Sequence, residues 1–277
     1  MISQLIDDLK KNKKERESKV QKSAKIKSPD LVDLLLRKNG QRVVDSETLI
    51  KETQKRVWAA LKKGYEYAGN FENSERYLRH NVFSRIDMFV LYVDLVGSTA
   101  MTLELPEEKL AIIISSFAQE MASVIKQHTS FVLKFVGDAV LGYFISESNS
   151  LYNADNAVNS AKSMIQVIRR GINPILNQYD YPDLKVKIGI DFGKAIVVRY
   201  GSDKIRSPVD LIGPVLNIAA KIQSLAKPNQ ILIGDDVYTR VHPSIQKNFR
   251  VVDWKKDEWS YRSRITGKIY QVYEYKN

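Results

Sequence analysis

The spacing of apolar residues changes near residue 80. Upstream, apolar positions are sparse and follow a helical period. "SPDLVDLLLRKNG" offers Ser28 as an N-cap, Pro29 at the first helical position and Gly40 as a stop. "DSETLIKETQKRVWAALKKGYEYAG" opens with Asp45 or Ser46 as a cap and repeats Leu49, Val57 and Leu61 on one helical face. Residues 1–30 are lysine-rich with few large apolar side chains and read as partly helical or disordered. Residues 70–85 read as a polar connector. A domain boundary is expected near residue 80, separating a basic N-terminal region (1–80) from a second domain (81–277).

Downstream, strand and helix patterns alternate. Residues 86–94 read as a strand and 106–127 as a long helix with Pro106 at its start. The runs 131–136 and 139–144 are split by Gly137-Asp138, a two-residue hairpin signal. Residues 151–177 read as helix. Residues 184–193 and 194–201 read as two strands with Gly193 near the turn between them. A helix over 214–226, a strand entering a short helix over 230–238 and a closing strand over 267–275 complete the pattern. Strands interleaved with long helices predict α/β packing, and the hairpins make the sheet mixed rather than all-parallel.

Composition narrows the classes. The chain has 277 residues, enough for a sizeable core, and no cysteine, which excludes disulfides and thiolate metal sites. Its three histidines, His80, His128 and His242, form no metal-ligand spacing. No run approaches eighteen apolar residues, and the N-terminus lacks the features of a signal peptide, so a cytoplasmic protein is expected. The net charge of +11 is concentrated early: residues 1–65 hold 17 Lys/Arg against 9 Asp/Glu. That charge suits a solvated face, or peripheral contact with an anionic membrane. No aromatic residues interleave the basic run at 10–27, so no nucleic-acid partner is expected.

The candidate chemistry lies where strands end in charge. "FVLYVDLVGST" places Asp94 at a strand end, and "FVLKFVGDAVLGYF" places Lys134 in a strand and Asp138 in a tight turn. Two carboxylates held close repel unless one is protonated or a cation lies between them. Oxygen ligands without Cys or His favour Mg²⁺ or Mn²⁺. Gly97, Ser98 and Thr99 follow Asp94 toward a helix, where backbone N–H groups can cradle phosphate.

These segments, with "DLIGPVLNIAAKIQSLAKPNQILIG", resemble the catalytic domain of class III nucleotidyl cyclases over roughly residues 85–275. The resemblance implies a ferredoxin-like mixed sheet flanked by helices, an α/β (α+β) fold preceded by an N-terminal helical segment. It makes Asp94 and Asp138 the ligands of two Mg²⁺ or Mn²⁺ ions, with the Leu95 carbonyl as a third metal contact. Lys134 and Asp210 become the base-recognising pair and Asn217 the ribose-orienting residue. The position usually filled by a transition-state arginine is Lys221, which keeps the charge but loses the bidentate fork, so a reduced rate or altered phosphate geometry is expected. Lys268 is a candidate triphosphate contact; Arg199 and Lys204 are further cations nearby. A homodimer with shared active sites is also implied.

A lysine donor beside a carboxylate acceptor suits adenine, so ATP is the expected substrate. The alternatives are a pyrimidine (UTP or CTP) cyclase, as in bacterial anti-phage signalling, or a weakly active nucleotide-binding regulatory module.

Overall fold

The computed structural model describes residues 45–64, 72–146, 150–255, 258–263 and 266–276. The chain divides into two compact units, Met1–Arg42 and Val43–Asn277, and every described residue lies in the second. The helix expected over 28–40 falls outside the described residues.

The frame is one eight-stranded mixed sheet. The strands are β1 (Arg85–Leu95), β2 (Phe131–Val136), β3 (Ala139–Ile145), β4 (Val186–Arg199), β5 (Val209–Ile212), β6 (Gln230–Gly234), β7 (Phe249–Val251) and β8 (Val272–Tyr275). They lie in the order β2-β3-β1-β4-β6-β8-β7. Strand β5 pairs with the far half of β4, and β6 pairs in parallel with its near half. The β2–β3 hairpin turns at Gly137-Asp138 as its spacing predicts, with Gly137 at φ +60 and Val136 opposite Ala139.

Alternation along β1 assigns the two faces of the sheet. Phe89, Leu91, Val93 and Leu95 enter the main core against Phe117, Met121 and Ile125 of α4 (Glu107–Gln127) and Val158 of α5 (Ser150–Gln166). Tyr92 and Asp94 take the other face, beneath helix α7 (Pro214–Leu225).

Strand β4 departs from expectation. It runs unbroken from Val186 to Arg199, and Gly193 pairs with Met88 inside it rather than marking a turn. The glycine serves a close approach instead: a Cβ there would sit 3.1 Å from Val215 Cβ on the first turn of α7. Four residues earlier on the same face, a Cβ on Gly189 would lie 2.4 Å from the backbone N of Gln223. Two glycines thus let one helix press directly onto the strand.

Three further segments differ from expectation. Residues 72–80 form α2 (Glu72–His80), not a connector. Its few apolar side chains are buried, with Tyr77 stacked 5.5 Å from Phe131. The closing strand is confined to β8, with only an isolated bridge between Arg262 and Ile269 before it. The helical run after 150 passes through a π-helical turn at Val167–Ile172 before α6 (Asn173–Leu176). Strands β5 and β7 have no counterpart in the sequence pattern.

Helix α1 (Ser46–Lys63) packs on that π turn. Gln54 Nε2 donates to the Arg170 carbonyl at 2.7 Å, and Gly171 leaves room for Thr53, whose Cγ2 would lie 2.8 Å from an added Cβ. Thr53 and Arg56 both donate to the buried Glu120 carboxylate at 2.7 Å. The compact unit therefore begins well upstream of residue 80. No described helix is long and apolar enough to cross a membrane. The remaining helices are α3 (Ser98–Glu104), α8 (Asp235–Tyr238) and α9 (Pro243–Gln246).

Candidate active site

A cleft of about 650 Å³ opens between the sheet and α7. Tyr92 and Lys134 line it from the sheet, Asn217 and Lys221 from the helix, and Trp259 and Tyr261 from the segment after β7. Lys134 on β2 and Tyr92 on β1 both pair with Leu141 of the intervening β3, so they share a face. Lys134 Nζ donates to Asp210 Oδ2 at 2.5 Å, bridging the edge strand to β5. The other Asp210 oxygen accepts from Leu211 N–H at 2.8 Å, which fixes the carboxylate's orientation. Burial first, and then the Asp210 charge, raise the pKa of the Tyr92 phenol. Asn217 and Lys221, four residues apart, project from one face of α7. Lys221 Nζ lies 5.8 Å from the Trp259 ring centroid.

The two carboxylates do not line this cleft. Asp94 pairs with Ala139, the residue after Asp138, so the β2–β3 turn is brought to the end of β1. Asp94 is half-buried, and its pKa is raised first by burial and then by the Asp138 charge. Gln223 opposes that shift, donating from Nε2 to Asp94 Oδ2 at 3.1 Å, as does the positive charge of Lys187 across the β1–β4 pair. A half-buried carboxylate whose ionisation is opposed by a second one at the end of the same rigid sheet fits a divalent cation. Among the described residues no group of three or more His, Cys, Asp or Glu is arranged to hold a metal ion. Further ligands would therefore be carbonyl, water or phosphate oxygens. Leu95 continues β1 opposite Val186, with its carbonyl one residue beyond Asp94.

Other candidates lie apart from the cleft. Gly97, in left-handed geometry at φ 79, initiates α3, so Ser98 and Thr99 occupy its first turn. Lys268 is exposed on the loop before β8, and neither it nor Arg199 or Lys204 lines the cleft.

Tyr92 and Gln223 escaped the sequence reading. Tyr92 was accessible from it, because it precedes Asp94 by two and must share its strand face. Gln223 carried no such signal; only the docking of α7 on β4 brings it to Asp94. Trp259 likewise reaches the cleft through tertiary packing.

A neighbouring cleft of about 520 Å³ contains Asp191 of β4. Its carboxyl is 1% exposed and accepts from the Tyr270 hydroxyl at 2.7 Å. Burial pushes its pKa up to about 8.

The sequence model of the adenylate and guanylate cyclase catalytic domain matches residues 83–273. A cytidylate cyclase of Staphylococcus aureus is 27% identical over 174 residues, 60% of this chain and 40% of that protein. One from Escherichia coli is 26% identical over 152 residues, 53% of this chain and 34% of that protein. A uridylate cyclase of Rhodovulum sp. (strain MB263) is 28% identical over 183 residues, 64% of this chain and 73% of that protein. The chain thus spans less than half the length of either cytidylate cyclase. Among solved structures, the guanylyl cyclase Cya2 superposes with a TM-score of 0.59 at 22% identity, covering 70% of this chain and 93% of that one. The adenylyl cyclase CyaB from P. aeruginosa gives 0.57 at 22% identity, covering 70% and 95%. These likenesses carry the fold, and the match over 83–273 carries the family: the chain belongs to the class III adenylate and guanylate cyclase catalytic domains.

Proposed function

We propose that this chain is a nucleotidyl cyclase that joins the ribose 3′ oxygen of a nucleoside triphosphate to its α-phosphorus. The O3′–Pα bond forms, the bond from Pα to the bridging β-oxygen breaks, pyrophosphate departs and the 3′ proton is lost to solvent. Asp94 and Asp138 would hold Mg²⁺ or Mn²⁺, two ions per site. Such ions acidify the 3′-hydroxyl and neutralise phosphate charge. Asn217 orients the ribose, and Lys221 offers a positive charge to the phosphoryl group in flight. Within one protomer the carboxylate pair and the nucleotide cleft are separate, which supports a homodimer whose sites are each built from both copies.

The observation that carries the reading is the Lys134–Asp210 pair, whose lysine lines the cleft with Asn217 and Lys221. A donor and an acceptor side by side match a base edge with a ring nitrogen next to an exocyclic amine. Cytosine offers N3 and N4, and adenine offers N1 and N6. The Lys134–Asp210 pair by itself does not separate the two bases, and the choice between them follows the named relatives. CTP is the proposed substrate, because relatives that share this chain's cyclase segment are named cytidylate cyclase. ATP, expected from the sequence, is the second reading, favoured by the same hydrogen-bonding edge and a cleft volume that admits a purine.

Purified protein supplied with Mn²⁺ or Mg²⁺ and each of the four nucleoside triphosphates tests this, with products identified by mass. Cyclic CMP is expected. Cyclic AMP alone would replace the base assignment, and no cyclic product from any nucleotide would overturn the cyclase reading.

A further inference from the structure

Helix α7 reaches both halves of the proposed chemistry. Asn217 and Lys221 face the cleft, whereas Gln223, about 200° further round the helix from Lys221, faces the sheet. Gln223 is 7% exposed, and its Nε2 donates to Asp94 Oδ2 at 3.1 Å. A neutral amide supplies a donor without adding charge, so it holds Asp94 Oδ2 and leaves the carboxylate's negative charge to attract a cation. The helix lies very close to the strand at this amide. Gly189, opposite Tyr92, lets the Gln223 backbone lie against β4 so closely that any Cβ would collide with it at 2.4 Å.

We infer that Gln223 is the positioning residue for the metal-binding carboxylate of Asp94, so that metal grip depends on how α7 is seated against β4. The inference rests on the cyclase reading above. The same helix then ties the nucleotide-facing pair to the cation-holding carboxylate of its own protomer. In a dimer with shared sites those two belong to different active sites.

The test is Mn²⁺ binding without nucleotide, followed by electron paramagnetic resonance. Gln223→Met keeps the buried volume but removes the donor, and is expected to weaken Mn²⁺ binding at least roughly tenfold, in the range of lost outer-shell contacts to metal ligands. Gly189→Ala, which touches neither cation nor nucleotide, is expected to cause a similar loss by lifting α7. Combining the two should cost little more than either alone, because both act on one contact. Thermal melts identify any variant that has lost its fold. Asp94→Ala separates the two readings. If it abolishes Mn²⁺ binding while Gln223→Met binds like wild type, the positioning role is overturned and the metal site stands. If Asp94→Ala binds Mn²⁺ unchanged, both fall.

Discussion

Lys134→Met isolates what the Lys134–Asp210 pair is for. The two side chains are 40% and 23% exposed at a separation of 2.5 Å. An ion pair this accessible contributes about 0–1 kcal/mol to folding. Losing it should lower the melting temperature by no more than about 2–4 °C in a domain of this size. Its value to a bound base is larger. A hydrogen bond from a charged donor is worth about 1.5–3 kcal/mol, and Lys134→Met also leaves Asp210 without its counter-charge beside the base. The expected outcome is a fall of roughly 10- to 150-fold in kcat/KM for the preferred nucleotide. Discrimination among bases should weaken in parallel, while the stem methylenes and the fold survive. The assay is steady-state cyclisation of CTP and ATP, with product mass and a thermal melt on the same preparation. A kcat/KM within about twofold of wild type, together with a melting temperature lowered by far more than 4 °C, would show that the pair holds the sheet rather than the base.

Other expectations follow from the same geometry. Asp94→Ala should silence the homodimer and Lys134→Ala should lower its activity sharply, yet mixing them should raise activity above either parent through one undamaged shared site; well-mixed parents whose activity does not rise refute shared sites. Lys221→Arg restores a planar fork beside Trp259 and should raise kcat several-fold; a lower kcat would show that the cleft is shaped for lysine. The folded chain retains a proton on Asp191 up to about 8 that the unfolded chain releases near 3.8. The folded state binds more protons in that window, so stability should decline as pH rises through it and level off above, and Asp191→Asn should flatten the trend. Parallel melting profiles from pH 5 to 8.5 for the two proteins would refute this. Arg56→Ala strips two hydrogen bonds from the buried Glu120 and should cost about 2–3 kcal/mol, less than a fully buried pair because Arg56 is itself partly exposed. Urea unfolding measures it, and a loss below 0.5 kcal/mol would show that Thr53 alone satisfies the carboxylate.

What could be read from the sequence were features written in short-range spacing. The β2–β3 hairpin was legible because two residues with a glycine can join strands in few ways, and that turn sets Asp138 beside the end of β1. The helix over Glu107–Gln127 was legible because its apolar period is helical and Pro106 marks its start. Gly193 misled for an instructive reason: glycine serves both tight turns and close contacts, and the sequence does not say which. Here the contact with Val215 is the cause. Helix α2 was missed because so few of its residues are apolar, although those few are buried.

The chain's own order of residues determined the strand-end carboxylates, the lysine within β2, the face shared by Tyr92 and Asp94, and the helical spacing of Asn217 and Lys221. Each depends on neighbours a few positions apart, where backbone periodicity alone sets direction. Only the tertiary structure decided that Lys134 meets Asp210, that α1 is clamped to Glu120, and that Gln223 supports Asp94. Those contacts join residues 64 to 129 positions apart, so no local period announces them, and the last depends on glycines of β4 that let α7 seat against the strand.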